Sequence, residues 1–229
     1  MLLSGKNAVV TGGSRGIGFK ICKIFLEQGA TVLDVSRDPS NLARAKDALP
    51  ALHTFAGDVS VPEDVDRVAT WVEEHWGRMD ILVNNAGVIA RDQDELTDQP
   101  DEAFFDAIRT NLFGPYLCTK RLSPLLLRSN DPRIVNLGSR QGVTWSRMRG
   151  GYSVSKAALH AMTIVTANEL RGKVVVNAME PGWVHTDLAP QAPGEPRTSA
   201  ETALAVVTKP KDLTGRFFRG QDEVDWLAS

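Results

Sequence analysis

The chain has 229 residues, and 26 lysines and arginines nearly balance 28 aspartates and glutamates for a net charge of −2. That size suits one domain, and the balance argues against a nucleic-acid protein, whose footprint is a basic surplus on one face. A composition of 42% hydrophobic and 24% charged residues excludes wholesale disorder. No apolar run approaches the ~18 residues needed to span a bilayer. The N-terminus carries no basic region followed by an apolar stretch, and the two cysteines make no disulfide framework. The expectation is a cytoplasmic globular domain that binds neither nucleic acid nor membrane.

In chain order, short β-branched runs alternate with amphipathic stretches, the signature of a parallel sheet covered by helices. Asn7–Thr11 reads as a strand and Gly16–Gln28 as a helix, closed by Gly29 as a C-terminal cap. Thr31–Val35, Leu52–Ala56 and Asp80–Val83 read as further strands, with helices over Asn41–Leu49 and Glu63–Trp76 between them. A long helix is expected over Glu102–Arg128, bent or broken at Pro115 and Pro124. Strand Arg133–Leu137, helix Ser153–Arg171 capped by Gly172, and strand Val174–Ala178 follow. Leu188–Arg197, rich in Pro and Gly, reads as one surface loop. The fold class is α/β: a single-domain, doubly wound, Rossmann-type parallel sheet over residues 1–229, with helices on both faces. A ligand of such a sheet lies beyond the carboxyl ends of its strands.

Two segments carry chemistry. Thr11–Gly18 (TGGSRGIG) sits directly between a strand and a helix. Gly12 permits a tight turn, Gly16 lets a phosphate approach backbone N–H groups, and Gly18 allows close helix packing. The helix N-terminus then offers free donors and a positive dipole end to a pyrophosphate. The second segment is YSVSKAALHAM, where Tyr152 and Lys156 share a helix face. An ammonium beside a phenol favours the phenolate, and such a tyrosine exchanges a proton with a carbonyl or alcohol oxygen. Ser139, just past a strand, is placed to hydrogen-bond the same oxygen. Tyr116 and Lys120 repeat the spacing, but Ala103 lies thirteen residues before Tyr116 where Ser139 lies thirteen before Tyr152. Tyr116 is therefore read as a half-buried helix residue. The four histidines show no metal-ligand spacing, so no metal is expected; His160 is set aside as packing or surface. Trp145, Met148, Trp183 and His185 are weighed as pocket lining.

Together these segments resemble the short-chain dehydrogenase/reductase family. TGGSRGIG looks like its cofactor loop, Asp58–Val59 like its adenine-side motif, and Asn84–Gly87 (NNAG) like its sheet-stabilising motif. Pro181–Thr186 (PGWVHT) looks like its nicotinamide-side motif, and the tail Thr214–Trp226 resembles carbonyl-reductase-like members. Asn111, Ser139, Tyr152 and Lys156 fall where the family's catalytic tetrad falls. The resemblance implies Tyr152 as proton donor, Lys156 on the nicotinamide ribose, Ser139 on the substrate oxygen and Asn111 anchoring a water. It implies cofactor contacts from Gly12, Ser14, Arg15, Gly16, Ile17 and Gly18. Asn85, Ala86 and Gly87 belong with them, as do Pro181, Gly182, Val184 and Thr186. Leu137–Gly138–Ser139 departs from the paired serines of many relatives but keeps the second.

For the cofactor, the residue seven past Gly29, where NAD-type relatives carry an acid, is Ser36, followed by Arg37. Arg37 and Arg15 suit a 2′-phosphate, which points to NADP(H) over NAD(H). Asp34, inside the strand, is the competing acid. The expected partner is a small carbonyl or alcohol, and the chain a monomer or homodimer. Two rivals share the fold: a sugar-nucleotide epimerase or dehydratase, and a nucleotide-sensing protein that has lost catalysis. The loop spacing and short C-terminal region argue against the first, and the retained tyrosine and lysine against the second.

Overall fold

The computed structural model describes residues 1–89, 95–144, 149–187 and 189–225. Among these, eight strands form one sheet in the order β3-β2-β1-β4-β5-β6-β7-β8. They are β1 (Asn7–Thr11), β2 (Thr31–Ser36), β3 (His53–Ala56), β4 (Ile81–Asn84), β5 (Arg133–Leu137), β6 (Val175–Glu180), β7 (Phe217–Arg219) and β8 (Asp222–Val224). Strands through β7 are parallel, and β8 folds back antiparallel on β7. The sheet thus adds a short edge hairpin to the six strands expected.

Each central strand is apolar on both sides because helices cover both faces. On one face, Ala8 and Val10 of β1 pack with Ile21, Cys22 and Phe25 of α1 (Gly16–Glu27) and with Ala203 and Val206 of α8 (Pro196–Val207). On the other, Val9 meets Val65, Val68 and Val72 of α3 (Pro62–Trp76), Leu122 and Leu126 of α5 (Gly114–Leu126), and Ala167 of α7 (Gly150–Glu169). Helix α2 (Pro39–Ala48) follows β2, α4 (Asp101–Ile108) precedes α5, and α6 (Gln141–Thr144) precedes α7. No helix among the described residues is long and apolar enough to cross a membrane.

The strand order reverses between β1 and β4, since β2 and β3 lie to one side and β4 onward to the other. That switch point opens a crevice at the carboxyl ends of β1 and β4. The long helix expected over Glu102–Arg128 is α4 and α5 joined by a π-helical turn, Arg109–Phe113. Pro115 has no N–H to offer the carbonyl of Asn111 four residues earlier, and Gly114 N–H bonds back five residues to Arg109. Pro115 therefore widens the helix where a break was expected, and Pro124 sits inside a continuous α5. Helix α8 begins at Pro196, inside the segment read as a loop.

Candidate active site

A cleft of about 370 Å³ opens at the switch point, running from Arg37 and Asp58 at one end to Tyr152 and Lys156 at the other. The glycine loop forms its wall. Gly12 takes φ +68°, a left-handed turn, and a Cβ at Gly18 would stand 2.1 Å from the Gly12 carbonyl oxygen. Only glycine fits there, so α1 starts tight against the loop. Thr11 and Asn85 clamp the loop to the end of β4. Thr11 Oγ1 accepts the Asn85 and Ala86 N–H groups at 3.0 Å each, and Asn85 Nδ2 donates to the carbonyls of Thr11 (2.8 Å) and Gly12 (2.9 Å). Asn84 Nδ2 reaches Asn136 Oδ1 at 2.8 Å, and Asn136 Nδ2 reaches Thr163 Oγ1 at 2.9 Å. This buried polar chain ties β4 and β5 to α7.

Under the loop lies Asp34, fully buried on the α1 face of β2. Its Oδ1 accepts the Gly13 N–H (2.6 Å) and the Ser36 hydroxyl (2.7 Å), while Ser36 Oγ accepts the Ser14 N–H (3.3 Å). Burial pushes its carboxyl up to about 6; the bonds from Ser36 and Gly13 act the other way. Gly13 makes the room, since a Cβ there would meet Asp34 Oδ1 at 2.8 Å and Cys22 Sγ at 2.6 Å.

At the outer end, Arg37 Nη1 stands 3.5 Å from Asp58 Oδ2, and Arg15 Nη1 reaches Asp187 Oδ2 across the cleft at 2.7 Å. Asp38 also lines this end, but its carboxylate caps α2 by accepting the Ser40 and Asn41 N–H groups.

At the inner end, α7 carries Tyr152 and Lys156 beside the last residues of β5. Ser139 Oγ accepts the Gln141 N–H at 3.1 Å, which leaves its own proton for another acceptor. The Tyr152 phenol is raised above its ordinary value, first by burial; a hydrogen bond with Ser139 and the Arg149 charge lower it, and Glu180 raises it. Lys156 Nζ donates to the Leu137 carbonyl at 2.7 Å and lies 5.7 Å from the Tyr152 ring centroid. Desolvation pushes this ammonium down to about 8. The lowering of the phenol by Lys156 expected from the spacing is not found: burial is the largest effect, and the cation that lowers the phenol is Arg149. Asn111, on the π-turn, is wholly buried. Its Oδ1 accepts the Val88 N–H (2.8 Å), and its Nδ2 donates to Val88 O (2.9 Å) and Ser155 Oγ (3.0 Å). A Cβ on Gly87 would stand 3.2 Å from Asn111 Oδ1 and 3.8 Å from Lys156 Nζ, so the two groups converge on that glycine.

Residues 6–196 match the family model for short chain dehydrogenases. The chain belongs to the short-chain dehydrogenase/reductase family. It is 33% identical over 211 residues to a 3-oxoacyl-(acyl-carrier-protein) reductase of Thermotoga maritima, covering 90% of this chain and 83% of that one. It is 35% identical over 200 residues to a farnesol dehydrogenase of Aedes aegypti, covering 82% and 81%. A putative short chain dehydrogenase from Pseudomonas syringae superposes with TM-score 0.90 at 28% identity over 96% of both chains. One from Shigella flexneri, complexed with NADP, does so with TM-score 0.91 at 25% identity over 96% of this chain and 99% of that one.

In this short-chain dehydrogenase, the cleft is lined by Gly12, Ser14 to Gly18, Ser36, Arg37, Asp58, Val59 and Asn85 to Gly87. Tyr152, Lys156, Pro181 and Thr186 complete that lining from the expected set. Asn111, Ser139, Gly182 and Val184 stand off it; Val184 is buried against Gly194. Trp183, 62% exposed, and the exposed His185 do not line it either. Trp145 and Met148 lie outside the described residues. Asp34 faces α1 and not the cleft, so it is no ribose ligand in this arrangement. Several contributors escaped the sequence reading, Asp38, Thr110 and Asp187 of the lining among them. Asn41 lines the cleft from the first turn of α2, and the Asp-Pro-Ser-Asn run that caps that helix was the available signal. His160, set aside as packing, is buried and accepts the Ser139 N–H at Nε2, 3.2 Å away. Only the packing of α7 on β5 reveals that contact.

Proposed function

We propose that this chain is a cytoplasmic NADP(H)-dependent oxidoreductase that moves hydride between the nicotinamide and a carbonyl or secondary alcohol. The whole chain serves as one dinucleotide-binding and catalytic domain. The observation that carries the reading is one cleft with a glycine loop and helix N-terminus in its wall, Tyr152 and Lys156 lining its inner end, and Ser139 hydrogen-bonded to Tyr152 just behind that lining. The loop suits a pyrophosphate because Gly12 and Gly18, whose Cβ atoms would meet Ala86 and the Gly12 carbonyl, let α1 begin tight against the turn in the cleft wall.

When bound, the cofactor supplies the hydride. Tyr152 gives its phenolic proton to the substrate oxygen in reduction and recovers it in oxidation. Ser139, with its Oγ held by Gln141, donates to the same oxygen. Lys156 holds the nicotinamide ribose from the floor of the cleft. The Asn111 carbonyl, which Pro115 leaves without an N–H four residues on, anchors a water that returns protons through Lys156.

The NADP preference rests on Ser36 standing where an acid would repel a 2′-phosphate, with Arg37 and Arg15 beside it. Asp38 does not oppose this strongly, because its charge is engaged by the N-terminus of α2. The NADP complex of the Shigella relative points the same way. The carbonyl-reductase-like branch is the finer reading, drawn from the tail.

The test is a panel of ketones, aldehydes and alcohols, including a 3-oxoacyl thioester and farnesol, run with both reduced and both oxidised nicotinamides. Turnover with NADPH at a kcat/KM at least tenfold above NADH is expected. Equal or better use of NADH sinks the cofactor assignment, and no turnover on any member sinks the oxidoreductase. Arg37→Asp should narrow the NADPH preference.

A further inference from the structure

We propose that His160 is a positioning residue for Ser139: its neutral imidazole accepts the Ser139 N–H at Nε2 and fixes where the serine hydroxyl stands. The inference rests on the reading of Ser139 as the group that donates to the substrate oxygen.

A backbone N–H only donates, so the contact at 3.2 Å requires a bare Nε2 and puts the ring proton on Nδ1. The imidazole is built into its place. A Cβ at Gly138 would stand 2.4 Å from Nε2, and one at Gly142 would stand 2.9 Å from Cε1, so the ring fills the volume two missing side chains leave. Phe217 of β7 closes the third side, with ring centroids 4.7 Å apart. Both glycines flank Ser139 within the same turn, Gly142 N–H bonding back to the Ser139 carbonyl at 3.0 Å. His160 also stands one helical turn beyond Lys156 on α7. Burial first, and the Lys156 charge second, push the ring down to about 4, which keeps it an acceptor at neutral pH.

The consequence is a division of holding contacts. Gln141 N–H fixes the Ser139 oxygen, and His160 fixes the Ser139 backbone from the far side. With both in place, the serine hydroxyl is held beside Tyr152 with its own proton not used by Gln141. An apolar ring at 160 would fill the space yet leave the Ser139 N–H without this acceptor.

Two measurements test this. Long-range proton–nitrogen NMR on wild-type protein near pH 7 should show His160 protonated at Nδ1 and bare at Nε2. A proton on Nε2 overturns the proposal without any variant. The second is a double-mutant cycle. His160→Phe should lower kcat about tenfold with the NADPH dissociation constant unchanged, and His160→Gln, which keeps an acceptor, should recover most of it. In a Ser139→Ala background, His160→Phe should cost no more than about twofold. A full tenfold loss there marks a general structural role and overturns the proposal. So does a His160→Phe enzyme with wild-type turnover beside a crippled Ser139→Ala. A Ser139→Ala enzyme with wild-type turnover instead removes the serine from the reaction, and both readings fall together. If His160→Phe does not fold, the tautomer and His160→Gln decide: a bare Nε2 with His160→Gln keeping at least half of wild-type kcat supports the proposal, and a protonated Nε2, or a His160→Gln kcat below half of wild type at unchanged melting temperature, overturns it.

Discussion

Tyr152 and Tyr116 each precede a lysine by one helical turn, yet they live in different surroundings. Tyr116 is 47% exposed and its hydroxyl accepts from Lys120 Nζ at 3.3 Å, on the outer face of α5. Tyr152 is half-buried, lines the cleft and has Ser139 beside it. Tyr152→Phe should lower turnover by about 10²-fold or more with cofactor binding kept, and Tyr116→Phe should leave it near wild type. Steady-state rates and NADPH fluorescence titration check both, and the reverse pattern would assign the chemistry to the wrong pair. At this scale the sequence was legible where local spacing decides which side chains lie together, as it does for Tyr152, Lys156 and the glycines. It was opaque for His160 and Asp34, whose roles come from contacts 21 residues away in the chain, at Ser139 and Gly13.

Strand–loop–helix order was the readable part at the scale of elements. β1 and β5 fall on the expected residues, and the glycine loop joins β1 to α1 as its composition requires. The misses share a cause: weak local signal. β7 and β8 have three residues each and exist because they pair with β6 and with each other. The π-turn depends on one proline in an otherwise good helix. Helix α8 starts inside a Pro/Gly run and is held by packing against α1. The glycine loop also gives a sharp test. Gly18→Ala brings a Cβ onto the Gly12 carbonyl, backbone against backbone, so the loop must shift; a loss of about 1–3 kcal/mol is expected. Denaturant melts should register it, together with an NADPH dissociation constant raised about tenfold or more. An unchanged cofactor affinity would mean that the phosphates do not sit on this loop.

For the whole molecule, assembly and pH response follow from what is exposed and what is buried. Phe105, Phe113 and Tyr116 form an exposed apolar face along α4 and α5, with Val154 and Val165 exposed on α7. The β7–β8 edge instead carries Asp222 and Glu223 on its surface, with Arg216 paired to Glu223 at 3.0 Å, and burying such charges is costly. A monomer or a dimer through the helical face is expected. Light scattering giving a mass near four chains, reduced by deleting Gly220–Ser229, would overturn this. Two buried groups set opposing pH slopes. Asp34 is raised from 3.8 to about 6, so its contribution is present below pH 3.8 and lost as pH rises through 6. His160 is lowered from 6.5 to about 4, so its contribution is present above pH 6.5 and lost as pH falls through 4. Each shift corresponds to about 3 kcal/mol at full burial, and over the shared window the two nearly cancel. From these two groups, Asp34→Asn should therefore add a rise in melting temperature between about pH 4 and 6.5, and His160→Gln should add a fall. Identical pH profiles for both variants and wild type would show that neither group titrates as its burial requires.

The imidazole of His160 and a side chain at position 138 compete for one volume. A serine cannot enter at Gly138 while the ring is there, and removing the ring first leaves a cavity against Phe217. Neither order of single steps is free, so the two positions are expected to tolerate change only together. Once the ring is seated, position 138 is closed to a side chain until position 160 changes with it.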